Sequence, residues 1–132
     1  MTRSGWHGSG TILVVDDEEG VREVAERMLQ EIGFCTLTAH DGRQALDILE
    51  RNGNEVTGVL LDLSMPRMGG QETLVRLRSL HPDLPVVMMS GYTEQAVAEQ
   101  LGESQESTGF LQKPFVAEDL VSILRRFAEA PG

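Results

Sequence analysis

The sequence predicts an α/β fold in which a doubly wound, five-stranded parallel sheet has the strand order 2-1-3-4-5. The first observation behind this prediction is an alternation: short runs of apolar and β-branched residues are each followed by a segment with helical apolar spacing. The second is the chain length of 132 residues, which fits a single domain of this architecture. Because crossovers between parallel strands are right-handed, the helices should cover both faces of the sheet.

The composition indicates an acidic, globular protein, with 40% hydrophobic residues and a formal net charge of -10 from 21 acidic and 11 basic residues. This charge argues against direct binding of nucleic acid or of an anionic membrane surface, since both need a cationic footprint. No segment approaches the roughly 20 apolar residues of a membrane span, and the N-terminus lacks the apolar core of a signal peptide. The cytoplasm is therefore the predicted compartment.

Residues 1–10, MTRSGWHGSG, are rich in glycine and serine, and we expect a flexible lead-in or linker there. The folded domain is accordingly predicted to span residues 11–129, with Trp6 and His7 exposed before it. Cys35 is the only cysteine, so it cannot form an internal disulfide. Its alternating apolar surroundings predict a small buried residue.

The first strand is predicted at Thr11 to Asp16, TILVVD, and an acidic cluster follows it. A helix of about four turns should come next and end at Gly33, with an apolar stripe made of Val21, Val24, Ala25, Met28, Leu29 and Ile32. Phe34 to His40 reads as the second strand. The second helix should then direct three residues inward before an Asn-Gly-Asn break, namely Ala45, Leu46 and Leu49.

The third strand, beginning near Gly58, is a continuous apolar run that ends at Asp62, whose charge we expect to reach water. A loop containing Pro66 leads to a helix from about Gln71 to Leu80, and Pro85 to Ser90 is the predicted fourth strand. A weaker helix is expected at Thr93–Leu101, followed by a polar loop at Gly102–Gly109 and the fifth strand at Thr108–Gln112. The final helix has an apolar stripe made of Leu120, Ile123, Leu124 and Phe127.

Acidic residues follow the two strands that this topology makes neighbours at its centre. Asp16 and Asp17 come after the first strand, and Asp62 ends the third, so their carboxylates should meet at one edge of the sheet. Carboxylates that close repel one another unless a divalent cation compensates their charge. Mg²⁺ fits such a site better than Ca²⁺, because no loop offers the dense oxygen ligands that Ca²⁺ prefers.

Two more polar residues are predicted at the same edge. Ser90 ends the fourth strand and Lys113 follows the fifth. A hydroxyl donor, an ammonium group and a metal ion are the groups that neutralise the outer oxygens of a phosphoryl group during transfer. Asp62 would then be the nucleophile and would form an acyl phosphate.

Four motifs, ILVVDDE, VLLDLSMPRMGG, VVMMSGY and FLQKPF, resemble the successive signatures of the receiver domain of two-component response regulators. The resemblance implies a flavodoxin-like fold, a phosphoacceptor at Asp62, and phosphoryl contacts from Ser90 and Lys113. It also implies that Mg²⁺ (or Mn²⁺) is bound by Asp17, Asp62 and the backbone carbonyl of Ser64, with Asp16 acting through water. The bond between Lys113 and Pro114 is cis in the family.

The resemblance further implies a conformational switch, in which Ser90 moves toward the phosphoryl group and Phe110 turns inward. The alternative is that Phe110 belongs permanently to the core. Implied partners are a histidine kinase or a histidine phosphotransfer protein, and a homodimer through the face formed by helix 4, strand 5 and helix 5. The domain would not be a turnover enzyme. It is either a free-standing regulator or, as we favour, the receiver of a hybrid sensor histidine kinase.

Other function classes share parts of this pattern. A flavodoxin-like electron carrier would need hydroxyls and glycines for a flavin phosphate, where this chain has Asp16, Asp17, Glu18 and Glu19. A receiver-like interaction module that is never phosphorylated would not require the complete acidic set with Ser90 and Lys113. A haloacid-dehalogenase-type phosphatase would want a second acid two residues after its nucleophile, and that position is Ser64.

Overall fold

The computed structural model describes residues 10–52, 55–63, 69–101 and 108–129. Strands and helices alternate along these residues. The strands are β1 (Thr11–Val15), β2 (Cys35–Ala39), β3 (Val56–Asp62), β4 (Val86–Ser90) and β5 (Thr108–Gln112). The helices are α1 (Glu19–Ile32), α2 (Gly42–Asn52), α3 (Gly70–Leu80), α4 (Glu94–Leu101) and α5 (Ala117–Glu129).

The five strands form one parallel sheet in the order β2-β1-β3-β4-β5, which confirms the predicted topology. The central position belongs to β3, which is buried along nearly its whole length. This burial explains its continuous apolar sequence, since a strand covered on both faces has no solvent side to alternate toward. The strand begins at Val56, somewhat earlier than the sequence predicted.

The core has two layers, one on each face of the sheet, because successive side chains of a strand point to opposite faces. Leu13 and Val15 of β1 pack with residues of α2, α3 and α4. Ile12 and Val14 pack on the other face with residues of α1 and α5. The doubly wound arrangement is therefore confirmed, and the carboxyl ends of all five strands share one edge of the sheet.

Local signals in the sequence set several element boundaries. Gly33 ends α1 with φ at 121°, a conformation that favours glycine, and its N–H donates to the carbonyls of Leu29 and Gln30. The peptide bond between Lys113 and Pro114 is cis, as the family resemblance implied. No helix among the described residues is long and apolar enough to span a membrane.

Two sequence-based expectations about the burial of apolar residues are wrong. Cys35 is exposed rather than buried, because it begins β2, which lies at the edge of the sheet where one side has no neighbouring strand. Val24 was assigned to the apolar stripe of α1 but is 52% exposed, since the buried stripe runs through Ala25, Leu29 and Ile32. The expectations for the lead-in up to Ser9, and for residues 102–107, lie outside the described residues. The domain boundaries remain predictions.

Candidate functional site

The registers of the sheet place the predicted acidic residues next to each other. Val15 pairs with Leu61, so Asp16 leaves β1 beside Asp62, the last residue of β3. On the other side Asp62 pairs with Met89, and Ser90 follows as the last residue of β4. The site is thus assembled from strand ends that are far apart in sequence.

The carboxylates of Asp16, Asp17 and Asp62 converge, and each offers an oxygen within 4.8 Å of the others. Asp16 and Asp62 are 0% and 1% exposed, whereas Asp17 is exposed. The expectation that Asp62 reaches water at its strand end is therefore wrong. Asp62 ends the central strand, which has neighbouring strands on both sides, and Nζ of Lys113 lies 3.3 Å from its Oδ1.

Lys113 reaches into this cluster from the far end of the chain. Its Nζ lies 3.0 Å from Oδ2 of Asp16 and 3.3 Å from Oδ1 of Asp62. Burial works against the ammonium charge, but the hydrogen bond to Asp16 and the negative charge of Asp62 prevail and raise the pKa of Lys113 above its ordinary value. Lys113 therefore stays charged and bridges the two buried carboxylates.

Ser90 is buried at the same edge, and its Oγ accepts a hydrogen bond of 3.0 Å from the backbone N–H of Tyr92. The N–H of Lys113 donates to the carbonyl of Ser90 at 2.7 Å, which joins the ends of β4 and β5. Phe110 lies in β5 opposite Met88 and is partly buried against the core layer that contains Leu13. Ser64, predicted as a metal ligand through its carbonyl, lies outside the described residues.

The turn between β1 and α1 contains a contact that the sequence did not predict. Nη1 of Arg22 donates a hydrogen bond of 2.7 Å to the backbone carbonyl of Asp16. The N–H of Glu18 donates to Oδ1 of the same aspartate at 2.9 Å. Both the main chain and the side chain of Asp16 are thus held by residues of the turn and the first helix.

Gly70 is a second feature that sequence reasoning missed. A Cβ at this position would lie 2.3 Å from Cα of Leu63 and 2.5 Å from the carbonyl oxygen of Asp62. The buried hydroxyl of Thr73 donates to the carbonyl of Gly69 at 2.9 Å, which gives this buried polar group a hydrogen-bond partner. The Gly-Gly pair in the sequence signals a loop, but the close approach of α3 to the end of β3 depends on tertiary structure.

The donor set has the chemistry of a site for a hard divalent cation. Three carboxylates supply oxygen ligands, and the exposure of Asp17 leaves one side accessible to water. Mg²⁺ typically binds through one or two carboxylates while keeping several waters, and Mn²⁺ accepts similar oxygen ligands. The residues present therefore fit the predicted metal.

Comparison with known families gives a match that covers most of the chain. The profile of the response regulator receiver domain matches residues 12–125. The chain is 40% identical to Sensor kinase CckA of Brucella abortus (strain 2308) over 122 residues, which cover 92% of this chain and 13% of that protein. It is 37% identical to Response regulator MprA of Mycolicibacterium vanbaalenii over 115 residues, or 86% of this chain and 48% of the relative. The chain thus spans less than half of either relative.

Comparison with a solved structure also indicates a receiver domain. The receiver domain of sensor histidine kinase PA1611 from Pseudomonas aeruginosa PAO1 superposes with a TM-score of 0.79 and is 26% identical in sequence. The superposition covers 93% of this chain and 100% of that domain. In that neighbour a magnesium ion is coordinated in the active site cleft.

Proposed function

The chain belongs to the family of response regulator receiver domains, and we propose that it is the phosphoacceptor of a two-component signalling system, with Asp62 as the residue that is phosphorylated. The observation that carries this proposal is the convergence of the three carboxylates with Lys113 at one edge of the sheet. Receiver domains act in signalling, and we propose that this one does not turn over an external substrate.

In the proposed reaction, a carboxylate oxygen of Asp62 attacks the phosphorus of a phosphohistidine. The new O–P bond forms an acyl phosphate, the N–P bond breaks, and the imidazole nitrogen keeps the electron pair and takes up a proton. Lys113, whose Nζ already lies 3.3 Å from Oδ1 of Asp62, would donate to a phosphoryl oxygen. The hydroxyl of Ser90 would donate to another. Its Oγ accepts a bond from Tyr92, so the hydroxyl proton remains available.

Asp16, Asp17 and Asp62 would hold Mg²⁺ or Mn²⁺, with the carbonyl of Ser64 as a further predicted ligand. The distances within the carboxylate cluster and the magnesium ion of the PA1611 receiver domain support this assignment. When bound, the ion supplies positive charge to the phosphoryl oxygens. We propose that Asp16 acts through water, as the family resemblance implies, while the exposed Asp17 ligates directly.

Phosphorylation would change the surface on the side of α4, β5 and α5. Ser90 and Lys113 are joined through the main chain, so a movement of one strand end is transmitted to the other. Phe110, partly buried in β5, is the residue we propose to change its packing in response. A groove of about 540 Å³ beside it is lined by residues of β5 and α5, including Ile123 and Arg126. This face is the proposed site for a partner or for a homodimer.

The proposed phosphodonor is a histidine kinase or a histidine phosphotransfer protein, and the proposed compartment is the cytoplasm. The match to a sensor kinase, at 40% identity, supports a receiver within a hybrid kinase, whereas the match to MprA, at 37% identity, supports a separate regulator. Family membership leaves no support for the electron carrier. The remaining alternative is a receiver that binds partners without phosphorylation.

Mass spectrometry after incubation with acetyl phosphate and Mg²⁺ tests the proposal. We expect one added phosphoryl group, lost in base, in the wild-type protein and none in Asp62→Asn. Asp47→Asn removes an exposed carboxylate from α2 and serves as the matched control, with the same modification as the wild type. Equal modification of Asp62→Asn, or no Mg²⁺-dependent modification of the wild type, would refute the phosphoacceptor role.

A further inference from the structure

Arg22 makes a contact with the acidic site that the proposed function does not use. It lies in the first turns of α1, and its Nη1 donates a 2.7 Å hydrogen bond to the backbone carbonyl of Asp16. This carbonyl belongs to the peptide group that links Asp16 to Asp17. A guanidinium bonded to it restrains the rotation of that peptide, and charge-assisted bonds of this kind are stronger than neutral ones.

The other polar atoms of Asp16 are held by different parts of the fold. Its N–H donates to the carbonyl of Ala39 in β2 at 3.1 Å, Oδ1 accepts from Glu18, and Oδ2 accepts from Lys113. These bonds fix the residue itself on the sheet side. The bond from Arg22 is the one that acts on the carbonyl end, where the chain turns toward the exposed Asp17.

We propose that Arg22 is a positioning residue for the metal site: by holding the carbonyl of Asp16 it keeps the carboxylate of Asp17 within the cluster. This inference rests on the proposed metal-dependent function. It concerns a residue that touches no reacting atom and acts through the peptide ahead of a proposed ligand. Outer contacts that orient metal ligands commonly contribute a large part of metal affinity.

An electrostatic effect and a positioning effect of Arg22 predict opposite changes in Mg²⁺ affinity when its side chain is replaced. A positive charge near the carboxylates opposes cation binding, so on charge alone Arg22→Met should bind Mg²⁺ more tightly. Loss of positioning should instead weaken binding, because Asp17 then has to be ordered when the metal binds. The direction of the change therefore separates the two effects.

The test is calorimetric titration of Mg²⁺ into the unphosphorylated full chain. We expect Arg22→Met to bind about 10-fold more weakly than the wild type, on the scale of outer contacts to metal ligands. Arg22→Lys, which keeps a charged donor, should recover part of the loss. Arg27→Met removes the same charge from an exposed position of α1 and should bind like the wild type or slightly more tightly.

Thermal unfolding in chelator accompanies the titration and identifies a purely structural role, which would lower the melting temperature without changing affinity. Arg22→Gln, which is neutral and shorter, provides a second variant if Arg22→Met does not fold, with the same expected loss. Unchanged or tighter Mg²⁺ binding by the folded neutral variants would overturn the inference. If the wild type binds Mg²⁺ but is not phosphorylated, the proposed function fails alone; if it binds no Mg²⁺, both fail.

Discussion

The Nζ of Lys113 lies 3.0 Å from Oδ2 of Asp16, a residue 97 positions earlier in the chain. The same ammonium group lies 3.3 Å from Asp62, so it places positive charge between the two buried carboxylates of the site. A bound divalent cation would supply charge to the same oxygens. Lys113 and the proposed metal ion would therefore both compensate the negative charge of one cluster, and we expect the stability of the protein to depend on both.

Lys113→Met removes the charged partner of a buried carboxylate. In chelator we expect the free energy of unfolding to fall by about 2 kcal/mol, the typical contribution of a hydrogen bond between charged groups. Mg²⁺ should stabilise this variant more than the wild type, because without the Lys113 ammonium group more of the negative charge of the carboxylates is left for the ion to compensate. Urea unfolding with and without Mg²⁺ measures both effects. Lys113→Arg keeps the charge and is the control; an equal Mg²⁺ effect in Lys113→Met and wild type would contradict the shared compensation.

Asp17→Asn relieves repulsion within the cluster while removing a proposed ligand. Without metal the variant should be more stable than the wild type by about 1 kcal/mol, the upper range for partly screened charge pairs. With saturating Mg²⁺ the order should reverse, because the variant loses the stabilisation that metal binding gives. Melting temperatures in chelator and in Mg²⁺ decide this. Glu23→Gln, an exposed neutralisation on α1, should respond to Mg²⁺ as the wild type does; a normal response from Asp17→Asn would remove it from the ligand set.

Gly70→Ala places a methyl group in space occupied by the backbone of Leu63 and Asp62. Backbone cannot rotate away as a side chain can, so we expect a loss of about 2 kcal/mol of stability, within the range for overpacked sites. Displacement of the strand end should also slow phosphorylation by acetyl phosphate. The matched control is Gly20→Ala in α1, where a Cβ meets nothing within 4 Å.

Gly20→Ala should raise stability by about 0.5 kcal/mol, because alanine favours the helix more than glycine does. Denaturant unfolding and the rate of phosphorylation are measured for both variants. If Gly70→Ala is as stable and is phosphorylated as fast as the control, the close packing of α3 against the end of β3 contributes neither to stability nor to phosphorylation.

The sequence predicts the site well where a residue's position in an element determines its place. Asp16, Asp62 and Ser90 lie at or beside strand ends, and the parallel topology alone brings strand ends to one edge. The sequence predicts the burial of a side chain poorly where burial depends on neighbouring elements of the fold. The alternation around Cys35 suggests an inward residue, but the position of β2 at the sheet edge leaves it exposed.

Arg22 illustrates a second limit of prediction from the sequence. Its contact goes to the backbone carbonyl of Asp16. Because every residue has a backbone carbonyl, the amino-acid type at position 16 does not indicate this hydrogen bond. The only signal available was the placement of a long cationic side chain on the first turns of a helix that starts at the site. The close approach of α3 to the backbone after Asp62 is hard to predict for a similar reason, since it depends on the absence of a side chain at Gly70.

Phe110 remains the residue on which the two interpretations of the switch differ. It packs, partly buried, against the layer containing Leu13 and Val97. If it is only core, Phe110→Leu should lower the stability of the phosphorylated and unphosphorylated forms equally, by about 1 kcal/mol. If it is the switch residue, as we propose, the variant should weaken the coupling between Asp62 and the surface of α4 and β5.

Hydrogen exchange in α4 and β5, measured with and without acetyl phosphate and Mg²⁺, distinguishes these outcomes. In the wild type we expect phosphorylation to change protection there, and in Phe110→Leu we expect most of that change to be lost while Asp62 is still modified. Leu111→Val is the matched control, because Leu111 is the next residue of β5 but packs on the opposite face of the sheet. It should lose stability in both forms and keep the exchange response. An intact response in Phe110→Leu would assign Phe110 to the permanent core, since removing its ring would then alter packing without altering the transmission of the phosphorylation signal.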